Sequence, residues 1–101
     1  MRLGAARAVV DGEIIEGDVE FENGLVTALG VTPGWGSGIA VPGFVDIQVN
    51  GFAGVDFASA SPDDYGRVAT ALAATGVVAY QPTLITLPEP QVIAALESLA
   101  S

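Results

Sequence analysis

The strongest constraint on the fold of this chain is a nearly continuous apolar run, IAVPGFVDIQVN at residues 39–50, matched by a second, VVAYQPTLIT at 77–86. A half-exposed strand alternates apolar and polar side chains. An unbroken apolar strand is one covered on both faces, as in a parallel α/β sheet. Between the two runs, SPDDYGRVATALAATG carries helix signals: Ser61 as N-cap, Pro62 at the first helical position, Asp63 and Asp64 at the positive end, and Gly76 as the stop. Tyr65, Val68, Ala69, Leu72 and Ala73 share one face at helical spacing and predict the packed side. Pro82 cannot donate to a ladder and marks a strand end, a bulge or an edge. A second helix is expected from about Pro88 to Ala100, apolar at Val92, Ile93, Leu96 and Leu99.

Two βα units do not make a domain. A pair of parallel strands keeps both outer edges unpaired, and two helices cannot cover both of its faces. The expectation is therefore that this segment is the front end of a larger (β/α) barrel.

Residues 1–30 have another character. RLGAARAVV, DVEFEN and LVTALG are short strand-like stretches, and Asn23-Gly24 is a two-residue type I′ hairpin signal. A β-meander follows from this reading. The acids Asp11, Glu13, Glu16, Asp18, Glu20 and Glu22 are assigned to a solvated face, with no chemistry attached. VTPGWGSG at 31–38 is the one clear break in composition, and the boundary between domains is expected there: 1–38 a partial domain and linker, 39–101 the two βα units. Trp35 is assigned to packing within the linker.

Composition excludes several classes of function. Twelve acidic residues against three arginines and no lysine give a formal charge of −9, leaving no basic patch to neutralise phosphates, so nucleic acid is not an expected partner. No apolar run approaches a membrane span and no signal sequence opens the chain, which makes the cytoplasm the default. The absence of cysteine removes disulfides and thiolate chemistry. The absence of histidine removes the usual zinc site and the usual general base near neutral pH, so no metal or other cofactor is expected on this chain.

Against this background VPGFVDIQVNGFAGVDF, residues 41–57, is the stretch with functional content. A Pro-Gly-Phe entry to a strand that ends Asp46-x-Gln48-x-Asn50-Gly51 resembles the opening of the amidohydrolase superfamily. In its usual form two histidines stand where Gln48 and Asn50 stand here. Period-two alternation puts both on one side of the strand and turns Val49 outward toward the helices. More narrowly, Asn50-Gly51-Phe52-Ala53-Gly54-Val55 together with Pro82-Thr-Leu-Ile-Thr86 is similar to the N-acetylglucosamine-6-phosphate deacetylase family.

That resemblance implies an α/β fold: the N-terminal part of a small β-sandwich-like domain followed by the first two βα units of an incomplete (β/α)8 TIM-type barrel. It also implies a parent enzyme that hydrolyses the acetamide of an amino-sugar phosphate, N-acetylglucosamine 6-phosphate, to glucosamine 6-phosphate and acetate. One divalent metal, zinc or similar, would be held by residues from later strands, and the general base would be a later aspartate. The 101-residue segment would be inactive alone, with no catalytic or metal-binding residue of its own. Gln48, Asn50 and Gly51 are expected to line the active site, at the end of the strand where barrel sites are built.

The residues also have plainer readings. Gln48 and Asn50 serve equally as strand-end amides satisfying loop backbone, Asp46 as a structural carboxylate, and Gly51 and Gly54 as turn residues. Asp56 is a loop acid, and Thr83 and Thr86 are strand-typical. Two other functions stay open: a stand-alone interaction or structural module that self-associates through its open edges, and the front of a dihydroorotase-like cyclic-amide hydrolase. Self-association of the isolated segment is expected on any of these readings.

Overall fold

Three tight turns with left-handed backbone shape most of the strands. Asp11-Gly12 (φ 51° and 82°), Asn23-Gly24 (φ 53° and 79°) and Ala53-Gly54 (φ 51° and 82°) each put two consecutive residues at positive φ, as a two-residue hairpin requires. Asn23-Gly24 was expected. Asp11-Gly12 is an equally readable signal that the strand reading passed over, and Ala53-Gly54 is hidden by its non-typical first residue.

The computed structural model describes residues 1–101, which fall into two compact units, Met1–Pro42 and Gly43–Ser101. In the first, β1 (Arg7–Val10) and β2 (Glu13–Glu16) form an antiparallel hairpin, and β5 (Ile39–Ala40) adds to β1 in parallel, Arg7 opposite Ile39. The second hairpin, β3 (Asp18–Glu22) with β4 (Leu25–Val31), is a separate sheet. The expected meander is thus corrected: β2 and β3 do not pair. Gly17, between them, holds φ 108° and lies so close to Gly30 that a Cβ would stand 2.6 Å from its carbonyl carbon. The chain leaves one hairpin and starts the other at that crossing, where only glycine fits.

Ala5, Ala8 and Val19 are the buried apolar residues of this unit. Beside them lies Asp18, a correction to the solvated-face reading of the N-terminal acids: it is fully buried. Its carboxylate accepts the backbone N–H of Gly4 (3.0 Å), Ala5 (3.0 Å) and Val19 (2.8 Å), pinning the N-terminal segment to β3. Burial pushes the Asp18 carboxyl up, but those three bonds and the charge of Arg2 outweigh it and hold the group below the ordinary carboxylate range. The Trp35 side chain is exposed and not packed as expected; the Trp35 backbone N–H donates to the Thr32 carbonyl at 3.2 Å.

The second unit is α/β. β6 (Phe44–Val49) and β9 (Val77–Pro82) pair in parallel, joined through α1 (Pro62–Ala73), and α2 (Glu89–Ala100) follows. β7 (Gly51–Phe52) and β8 (Val55–Asp56) form a small hairpin after β6. Helix α1 starts as its sequence dictates. Asp64 Oδ2 accepts both the Ser61 N–H (2.9 Å) and the Ser61 hydroxyl (2.7 Å), and Asp64 Oδ1 accepts from Arg67 at 2.7 Å. The Asp64 carboxyl is held below its ordinary value by these contacts, the Ser61 N–H foremost. At the other end Gly76, with φ 91°, closes the helix and offers its carbonyl to the Phe44 N–H at 2.9 Å, which aligns the start of β6 beside β9.

The core of this unit is Val49, Phe57, Ala60, Val68 and Leu72. Phe57 is fully buried, its ring stacked 5.1 Å from Tyr65 and 6.1 Å from Tyr80. Burial, then the neighbouring Tyr80, raises the Tyr65 phenol above its ordinary range. On α1, Val68 and Leu72 pack as expected, while Ala69 and Ala73 stay exposed. On α2 the buried residue is Ala95, whereas Ile93, Leu96 and Leu99 are exposed. The Ser98 hydroxyl ties α2 down by donating to the Ala60 carbonyl at 2.6 Å.

The largest departure concerns the apolar strand itself. Phe44, Val45 and Ile47 are exposed, Ile47 by 79%. The sheet has only β6 and β9, so both outer edges are open, and much of β6 has no covering layer. The apolar run of β6 is thus left largely exposed.

Candidate functional site

The candidate face is built where β6 ends. Val49 is buried in the core, while Gln48 and Asn50 on either side of it are exposed, as alternation along a strand requires. The ladder is irregular just before this point: Asp46 stands opposite Tyr80 and Val49 opposite Pro82, so Ile47 and Gln48 on one strand face Gln81 alone on the other. That irregularity frees the Gln48 N–H, which Asp46 Oδ1 accepts at 3.1 Å. Asp46 acts here as a structural carboxylate that fixes the backbone bearing Gln48.

Main-chain bonds hold the rest. The Val49 carbonyl accepts the Thr83 N–H (2.9 Å) and the Asn50 carbonyl accepts the Phe57 N–H (3.0 Å), so the strand ends are satisfied without the Gln48 and Asn50 side chains. Gly51 pairs with Asp56 across the β7–β8 hairpin, and a Cβ there would run into the Val55 carbonyl oxygen. Packing within the hairpin therefore explains this glycine by itself. Asp56 Oδ1 caps the following turn by accepting the Ala58 N–H at 2.9 Å. Gly54 has open space around it and serves the turn through its positive φ.

The structure thus brings Gln48, Asn50 and Gly51 together at the end of β6, with two polar side chains outward on a braced backbone. Gln81, exposed near the end of the neighbouring strand, donates from Nε2 to the Pro82 carbonyl at 3.3 Å; the sequence reading had not singled it out. None of these residues lines the open groove of about 530 Å³ beside α1 and β9, which is bounded by Ala69, Leu72, Ala73, Val77, Val78 and Tyr80 among others.

The chain has no histidine or cysteine, and no three of its acids come together in a group that could hold a metal ion. The residues present do not fit a divalent metal. No helix is long and apolar enough to cross a membrane.

This chain is 45% identical over 56 residues to N-acetylglucosamine-6-phosphate deacetylase of Bos taurus, a match covering 52% of this chain. About half of this chain is homologous to N-acetylglucosamine-6-phosphate deacetylases. The protein of that name from Homo sapiens is 43% identical over 56 residues, and that from Danio rerio 45% over 53 residues, covering 52% and 50% of this chain. The match spans only 14% of the length of the bovine and human deacetylases and 13% of the zebrafish one. No protein-family profile matches the chain, and no solved structure matches it.

Proposed function

We propose that this chain is the front segment of a metal-dependent amidohydrolase that deacetylates N-acetylglucosamine 6-phosphate, and that it is inactive by itself. The observation that carries the proposal is the homology to deacetylases at 43–45% identity, confined to a small fraction of their length. Its architecture supports the same reading. A parallel β6–β9 pair with open edges and exposed apolar strand residues is a sheet that wants further strands. In this proposal the first unit is part of a β-sandwich-like domain and the second holds the first two βα units of a (β/α)8 barrel. The parent works in the cytoplasm on its amino-sugar phosphate, with its divalent metal and general base supplied by later strands.

Gln48, Asn50 and Gly51 then stand at the C-terminal end of the first barrel strand and line the pocket. Their role is to bound and orient: the two amides offer both donors and acceptors to a polar substrate, and neither can shuttle a proton at neutral pH.

A deacetylase assay on N-acetylglucosamine 6-phosphate with added zinc tests this, run on this chain beside a longer reading frame that contains it. Activity in the longer protein alone, reduced by Gln48→Ala or Asn50→Ala, supports the proposal. No activity in either transfers the reading to an interaction module, for which the isolated segment's self-association in the ultracentrifuge is the corresponding measurement.

A further inference from the structure

Two Asn-Gly pairs occur in the chain, Asn23-Gly24 and Asn50-Gly51, and the fold treats them differently. We propose that Asn23 is a site of spontaneous deamidation and isoaspartate formation in the folded protein, and that the fold protects Asn50. The chemistry is redox-neutral. The Gly24 amide nitrogen loses its proton and attacks Asn23 Cγ, the new C–N bond closes a five-membered succinimide, and the side-chain nitrogen leaves as ammonia. Water then opens the ring to aspartate or, through the other carbonyl, to isoaspartate.

The step needs a bare neighbour and a backbone free to rotate into an attacking geometry. Glycine gives the first at both sites; the fold decides the second. Asn23 and Gly24 form the two-residue turn between β3 and β4, and Glu22, Asn23, Gly24 and Leu25 are all exposed. Nothing lies within 4 Å of where a Gly24 Cβ would be, so the turn can rearrange without disturbing a packed neighbour.

Asn50 is held from both sides. Val49 before it is buried in the core and its carbonyl is bonded to the Thr83 N–H, and the Asn50 carbonyl is bonded to the N–H of the buried Phe57. Gly51 after it is packed against the Val55 carbonyl oxygen. Rotation at Asn50 therefore requires the β7–β8 hairpin to leave the core. Local openings of exposed turns cost far less than those of core-anchored segments, and a ratio of about tenfold or more between the two sites follows.

The consequence is local to the first unit. IsoAsp inserts an extra main-chain carbon into a turn whose register depends on two residues at positive φ, and it adds a negative charge next to Glu22. Deamidation at Asn50 would instead turn an amide of the candidate site into a carboxylate, and the packing of Gly51 delays that outcome.

The test incubates the folded chain at mildly alkaline pH and maps it with a protease that cuts before aspartate. Cleavage there separates the two pairs, with Asn23 in the peptide from Asp18 to Val45 and Asn50 in the peptide from Asp46 to Val55. The expected result is deamidation with isoaspartate in the Asn23 peptide about tenfold or more ahead of the Asn50 peptide, with the two rates converging in denaturant. Gly24→Ala should slow the first without affecting the second. Equal rates in the folded chain, a faster Asn50, or a difference that survives denaturation would overturn the proposal.

Discussion

Replacing Phe57 by alanine should remove about a third or more of the stability of the second unit. The ring is fully buried and stacks between Tyr65 at 5.1 Å and Tyr80 at 6.1 Å, in contact with a core that includes Val49 and Val68. Truncating such a phenylalanine costs about 3–5 kcal/mol, since the transfer energy is lost and the cavity closes only in part. A domain the size of Gly43–Ser101, at about 0.05–0.15 kcal/mol per residue, has only about 3–9 kcal/mol in total. The substitution therefore removes between a third and all of its stability. With a urea slope of about 1 kcal/mol per molar for so small a unit, the midpoint falls by about 3 M or more.

The aromatic residues provide the assay. Both tyrosines, Tyr65 and Tyr80, belong to the second unit, and the single tryptophan, Trp35, belongs to the first. Tyrosine near-UV circular dichroism should lose its transition or shift it to low urea, while Trp35 emission serves as the internal reference. Phe57→Leu, which keeps most of the volume, should cost under about 1.5 kcal/mol. A Phe57→Ala chain whose tyrosine midpoint stays within about 0.5 M of the parent would refute the assignment of Phe57 as the centre of this core.

Further outcomes are expected from the same structure. Gly51→Ala should destabilise the β7–β8 hairpin by about 1–3 kcal/mol, because its Cβ meets the Val55 carbonyl, which thermal unfolding will register. Thr83 Oγ1 is buried without a partner, so Thr83→Val should be neutral or stabilising by about 1 kcal/mol; a clear loss in denaturant titration would mean the hydroxyl is bonded after all. The folded-state values of Asp18 and Asp64 lie below their ordinary 3.8, so both contribute stability that is complete above that pH and disappears as pH falls through the lowered values. Acid titration followed by circular dichroism should show this loss, and Asp18→Asn should both weaken the fold at neutral pH and flatten the acid limb, since an amide cannot accept three N–H bonds as a carboxylate does.

Much of the candidate site is legible along the chain because it depends on short-range geometry. Period two is enough to send Val49 one way and Gln48 and Asn50 the other. The ladder irregularity that gives the Gln48 N–H to Asp46 is not legible, since it arises from how β6 and β9 match in length and register. Gly51 illustrates the same limit. As a letter it reads as a turn or a point of substrate approach, and only the folded hairpin reveals the Val55 carbonyl that excludes any side chain. Asp18 is the sharpest case: one acid among six along a polar stretch, indistinguishable by composition, yet the one that the N-terminal segment wraps with its amides.

By itself the sequence determined the turn at Asn23-Gly24, the start of α1 at Ser61-Pro62 and its stop at Gly76, and the impossibility of a histidine or cysteine site. Each of these depends on residue chemistry or on contacts within a few positions. Helical spacing marks Val68 and Leu72 for the packed face, but the tertiary structure alone decided that Ala95 is buried while Ile47, Ile93 and Leu96, no less apolar, are not. Hydrophobicity states what a side chain would gain from burial; whether a surface arrives to bury it depends on strands and helices far away along the chain, and on this pair of strands the outer edges remain open.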